Sequence, residues 1–94
     1  MKLHLLSKVD ETIDYIFRCP GCGCGHRVRI SGPGHNWQWN GSLKLPTFSP
    51  SILVNPDFPM GRCHSFVRDG KIQFLADSWH GLKGLTVEIP EWDE

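Results

Sequence analysis

No stretch of this chain is apolar for more than three residues, and Ile52-Leu53-Val54 is as long as such a run becomes. A membrane-spanning helix needs about 20, so none is expected. The opening Met1-Lys2-Leu3-His4-Leu5-Leu6 begins like a secretion signal but turns polar at Ser7, before an apolar region has formed. A soluble, cytoplasmic chain is the expectation. Neither sign of charge is in excess, since ten Lys and Arg stand against ten Asp and Glu. That excludes a polybasic arm or an acidic tail as the dominant physics and leaves nucleic acid at most a local patch. Room for a long helix is also lacking, because ten Gly and seven Pro interrupt the 94 residues. There is no internal repeat and no low-complexity segment. Missing too are His-Glu-x-x-His, Gly-x-Ser-x-Gly, a phosphate loop and the His-x-Glu of the zinc deaminases.

What remains is a globular composition, 39% hydrophobic and 21% charged, in a length that suits a single domain over 1–94. The apolar segments are short and bounded by turn residues, as strands are. Lys2–Leu6 and Thr12–Arg18 suggest an opening antiparallel pair. His26–Ile30 alternates, with Val28 and Ile30 on one side and Arg27 and Arg29 on the other. Trp37 and Trp39 share a face. A three-residue turn at Asn40-Gly41-Ser42 would pair them with Leu45 and Leu43, keeping all four apolar groups together. Pro46 and Pro50 should interrupt any ladder, with a short strand following at Ser51–Val54. The clearest hairpin is Cys63–Arg68, Asp69-Gly70, Lys71–Ala76. Its core face would carry Cys63, Ser65, Val67, Ile72, Phe74 and Ala76. A loop over Asp77–Gly84, with at most one helical turn at Ser78–His80, leads to a last strand at Leu85–Ile89 and a frayed end at Pro90–Glu94.

Four cysteines in a chain without an export signal favour a metal over disulfides. Cys19-Pro-Gly-Cys22 has the spacing of a metal-binding turn, in which two thiolates hold one Zn²⁺. A thioredoxin-like use of this pair needs a helix after it, which Gly23, Gly25 and Pro33 exclude. Cys63 and His64 lie far downstream at the mouth of a hairpin, so the chain can close a four-ligand site. Cys24, His26, His64 and His80 all compete to complete it. Neighbouring strand residues point to opposite faces, so Cys63 and His64 can serve one metal only if Cys63 lies in the loop or a bulge re-aims it.

Several blocks occur together: Cys19-Pro-Gly-Cys22 with His26, Trp37-x-Trp39-Asn-Gly, Pro46-Thr-Phe-Ser-Pro-Ser51, Arg62-Cys-His-Ser-Phe-Val67 and Ile72-x-Phe-Leu-x-Asp77-x-x-His80. In that order they resemble a small, uncharacterised phage and prophage family whose members often carry the label ammonia monooxygenase. Such enzymes are large, membrane-embedded and copper-dependent, and this chain has neither a span nor a second cluster. The resemblance implies a metal site held by Cys19, Cys22, Cys63 and His64, and with the strand pattern above the expected fold is a zinc-ribbon-like, mainly β domain of antiparallel hairpins clipped by one zinc. A closed site of three thiolates and one histidine is a poor Lewis acid. The expected function is therefore a phage-encoded, non-enzymatic zinc module that binds a host or phage macromolecule, a protein above all, through His26, Trp79 and His80. The alternative is a small zinc hydrolase with an open metal near Asp77 and His80.

Overall fold

Most apolar segments of the sequence become strands, and the strands pair antiparallel throughout the computed structural model, which describes residues 1–58 and 60–92. The strands are β1 (Leu3–Val9), β2 (Thr12–Arg18), β3 (Gly25–Ser31), β4 (Gln38–Trp39), β5 (Phe48–Val54), β6 (Cys63–Arg68), β7 (Lys71–Phe74) and β8 (Thr86–Glu88). They form a three-stranded sheet in the order β1-β2-β3 and a five-stranded sheet in the order β4-β5-β6-β7-β8. Among the described residues there is no helix, and Ser78–His80 is an irregular bend. The expected class, a small antiparallel β domain, is the observed one.

The hairpin signal of Asp69-Gly70 is met in full. Arg68 lies opposite Lys71 and Val67 opposite Ile72, while Asp69 and Gly70 take the positive φ values of 50° and 76° that a two-residue turn requires. Cys63, Ser65, Val67, Ile72 and Phe74 are buried, and only Ala76, beyond the end of β7, leaves the expected core face. Together with Leu3, Phe17 and Val28 from the first sheet and Phe48 and Ile52 from β5, they make one apolar core that joins the two sheets. The rings of Tyr15 on β2 and Trp39 on β4 meet across the join at 4.7 Å, tilted by 43°.

The tryptophan strand pairs differently from the expectation. Trp39 lies opposite Phe48 and Gln38 opposite Ser49, so β4 joins β5 across a long loop instead of folding onto Leu43 and Leu45. Asn40 closes that loop. Its side-chain oxygen accepts from the amides of Ser42 and Thr47, and its amide group donates to the Leu45 carbonyl. Local side-chain hydrogen bonding has thus replaced the short turn. The ladder is interrupted at Pro50 as expected, since Ser49, Pro50 and Ser51 have no partner on β6, although the strand itself continues to Val54. β5 runs through Pro50, with a bulge between Phe48 and Ile52 that shifts its register against β6. At the C-terminus, Trp92 is docked rather than frayed. Its ring stacks on His4 and its amide donates to the Met1 carbonyl. Asp93 and Glu94 lie outside the described residues.

Candidate metal centre and candidate active site

β2 ends at Arg18 and delivers Cys19 into a tight turn. The Cys19 amide donates to the Cys24 carbonyl (2.8 Å) and the Gly23 amide to the Cys19 carbonyl (2.9 Å). The Cys22 amide points at the Cys19 sulfur, 3.4 Å away. Such amides stabilise thiolates. Cys63 arrives from the start of β6, with its sulfur 3.9 Å from that of Cys19. Nε2 of His80, carried by the loop after β7, lies 3.5 Å from the Cys63 sulfur. The four donor atoms of Cys19, Cys22, Cys63 and His80 all lie within 4.8 Å of one another, and this set can hold a metal ion.

The fit does not rest on proximity alone. Gly21 has no side chain because the His80 ring occupies that space; a Cβ there would run into the imidazole. Phe74 meets the same ring edge-on at 4.4 Å. The thiols also perturb one another as packed donors do. Cys19 is held down to about 4, first by the hydrogen bond from Cys63 and further by His26. Cys63 is pushed well up, by the same hydrogen bond and then by burial. Cys22 is raised chiefly by its burial, which the Trp79 side chain partly offsets. A cation among the sulfurs would satisfy them all.

His64 is not part of this cluster. β6 is regular from its first residue, with Cys63 opposite Val54 and His64 opposite Leu53. Alternation therefore sends Cys63 to the core and His64 to the outer face. The bulge that would bring both to one metal does not occur in β6. Cys24 is exposed and apart. Of the three residues expected to meet a partner, His26 and His80 are buried (4% and 6% exposed) and only Trp79 is open.

On the outer face His64 has other company. Its Nε2 lies 3.1 Å from the Ser51 hydroxyl, and its Nδ1 lies 3.1 Å from Oδ2 of Asp77. The β5 bulge sets Ser51 beside His64, as bulges near functional groups commonly do. Asp77 is held by its neighbour. The buried Ser78 hydroxyl accepts from the His64 amide (3.1 Å) and donates to the His64 carbonyl (3.0 Å). With Nδ1–H donating to the carboxylate, the ring offers the Nε2 lone pair to the serine. Nucleophile, base and orienting carboxylate thus stand in the order and at the spacing of a hydrolytic triad. No hydrolase motif marks it, because Ser51 lies in Pro46-Thr-Phe-Ser-Pro-Ser51 and not in a Gly-x-Ser-x-Gly elbow. The signal was nonetheless in the sequence, in three of the blocks singled out above, which contain Ser51, His64 and Asp77.

The two sites lie back to back: Cys63 precedes His64, and Asp77 stands three residues before His80. Among the described residues no helix is long and apolar enough to cross a membrane. Neither a search of curated proteins nor one of solved structures found a match for the chain. A family model does match residues 2–75, a stretch that includes Cys19, Cys22, Ser51, Cys63 and His64 and stops just short of Asp77 and His80. Its description is bacterial ubiquitination-like system serine protease (BubE), and with most of the chain matched, the protein belongs to that family.

Proposed function

We propose that this protein is a serine protease whose fold is fastened by a structural zinc. The observation that carries the reading is the continuous chain Ser51 Oγ, His64 Nε2, His64 Nδ1, Asp77 Oδ2, with both links at 3.1 Å. In the first half-reaction Ser51 Oγ attacks a substrate carbonyl while His64 Nε2 takes its proton. The resulting imidazolium returns the proton to the leaving amine as the peptide C–N bond breaks. Water then repeats the sequence on the acyl-serine, releasing the acid and restoring Ser51. Asp77 keeps Nδ1 protonated and stabilises the imidazolium. The family description names a bacterial ubiquitination-like system and a serine protease, which supports a protein as the substrate. This replaces the non-enzymatic binding module.

Zinc suits the second site. A tetrahedron with sulfur at about 2.3 Å and nitrogen at about 2.0–2.1 Å has S···S edges of about 3.8 Å and S···N edges of about 3.5 Å. The Cys19–Cys63 and Cys63–His80 separations are 3.9 Å and 3.5 Å, and all four donor atoms lie within 4.8 Å of one another. Bound there, zinc supplies cross-linking and no chemistry, since three thiolates and a histidine fill every position. Asp77 faces His64 rather than the thiols, which disfavours an open metallohydrolase site.

The test is labelling with an alkyl fluorophosphonate, which reacts only with an activated serine. One adduct per chain is expected, mapped to Ser51 by peptide mass spectrometry and lost in Ser51→Ala and His64→Ala. An unlabelled wild type, or equal labelling of Ser51→Ala, refutes the triad.

A further inference from the structure

Among the described residues no strand pairs with the outer edge of β5 beyond Ser49. β4 covers only Phe48 and Ser49 before the chain turns away, its Trp37 amide donating to the Arg29 carbonyl of β3. Trp37 does reach back, and its indole N–H donates to the Ser51 carbonyl at 3.3 Å. That carbonyl therefore faces away from β6.

The next outward-facing groups can be deduced from the ladder. The His64 carbonyl accepts from the Leu75 amide (2.8 Å), and the His64 amide donates to Ser78. Both main-chain groups of His64 thus face away from β5. Its cross-strand partner Leu53 must then form a non-hydrogen-bonded pair with it, in which each residue turns its N–H and C=O outward. Leu53 accordingly presents one donor and one acceptor to the open edge, two residues beyond Ser51, and its side chain is 43% exposed. Among the described residues no group takes either one.

We infer that the substrate binds as an added strand along this edge, antiparallel to β5 on the line that β4 begins. The inference rests on the serine-protease reading above. An extended peptide that exchanges both hydrogen bonds with Leu53 has its following residues directed towards Ser51. At about 3.3 Å per residue, the second residue onward reaches the hydroxyl. The scissile carbonyl thus arrives at the nucleophile by main-chain pairing, and the segment read is the one N-terminal to the cleaved bond. Recognition of this kind takes its affinity from the backbone and demands an unfolded stretch of substrate. A flexible tail or linker fits; a folded surface does not.

The experiment compares three probes with the same leaving group: an alkyl phosphonate, a mixture of acetyl-tripeptidyl diphenyl phosphonates randomised at each side chain, and that mixture N-methylated on its backbone. The peptidyl mixture should label Ser51 at least tenfold faster than the alkyl probe, and N-methylation should remove that advantage. Leu53→Pro deletes the outward N–H but breaks no ladder bond, so proline is tolerable at this edge. In this variant, with retained zinc verifying its fold, the ratio of peptidyl to alkyl rates should fall towards one. A peptidyl probe no faster than the alkyl probe, or an advantage that survives both N-methylation and Leu53→Pro, overturns strand docking while leaving the triad standing. Failure of the alkyl probe itself to label Ser51 removes the serine reading, and the docking inference with it.

Discussion

His64 lies on a hairpin strand and His80 follows one, and both compete for the metal on sequence grounds, yet single substitutions should separate them cleanly. His80→Ala is expected to lose stoichiometric zinc by elemental analysis, because one of four donors goes. His64→Ala should keep its zinc and lose fluorophosphonate labelling, and Cys24→Ser should change neither. If His64→Ala releases the metal while His80→Ala retains it, the assignment of the two rings is reversed. Asp77→Asn should lower turnover by about 10⁴-fold with zinc retained, because an amide no longer fixes the imidazole tautomer. The thiols make a further quantitative prediction. Cys19, held at about 4, is already ionised at neutral pH, whereas Cys22 and Cys63 are raised and protonated. Zinc must then expel about two protons at pH 7, and its affinity must fall as the pH drops and protons reclaim the sulfurs. Calorimetry in buffers of different ionisation enthalpy measures that number; a value near zero or three contradicts these thiol states.

Strand alternation explains how two sites fit on one hairpin. β6 turns Cys63 inward and His64 outward, and the loop after β7 does the same with His80 and Asp77. Its bend at Ser78 is what divides the loop between them. Ser78→Ala removes both hydrogen bonds to the His64 main chain and frees Asp77 to drift. A loss of about 1–3 kcal/mol in stability should accompany a drop in kcat at little changed KM, read by urea unfolding and steady-state kinetics. Gly21→Ala addresses the other side of the same loop. The added methyl meets the His80 ring, so weaker zinc retention is expected while the strands persist by circular dichroism. Much at this scale was legible beforehand. Asp69-Gly70 gave the hairpin and its register because turn and alternation agreed. The β4 pairing was not legible, because Asn40 forms its bonds with residues up to Thr47, and no local pattern announces a loop closed that way.

For the molecule as a whole, the cluster that could hold a metal joins one sheet to the other, since Cys19 and Cys22 follow β2 while Cys63 and His80 belong to the β6–β8 region. A structural zinc contributes about 10–16 kcal/mol of apparent binding energy, as much as a small domain's entire net stability. Chelation should therefore abolish cooperative thermal unfolding and Ser51 labelling together, and added zinc should restore both. Labelling that survives complete metal removal would separate triad from metal and defeat the coupling. The sequence by itself determined the β class, the candidate metal-binding turn at Cys19–Cys22, the place of Cys63 beside it and the hairpin that carries it. These follow from local chemistry: turn residues, two-residue alternation and thiol spacing. Only the tertiary structure decided between His64 and His80, because the choice depends on which face of a regular strand each site occupies. The contacts of Ser51 and Asp77 with His64 were decided at the same level. Ser51, His64 and Asp77 are each unremarkable in their own segment and become a site only when a bulge in β5 and a clamped bend after β7 bring them to the same ring.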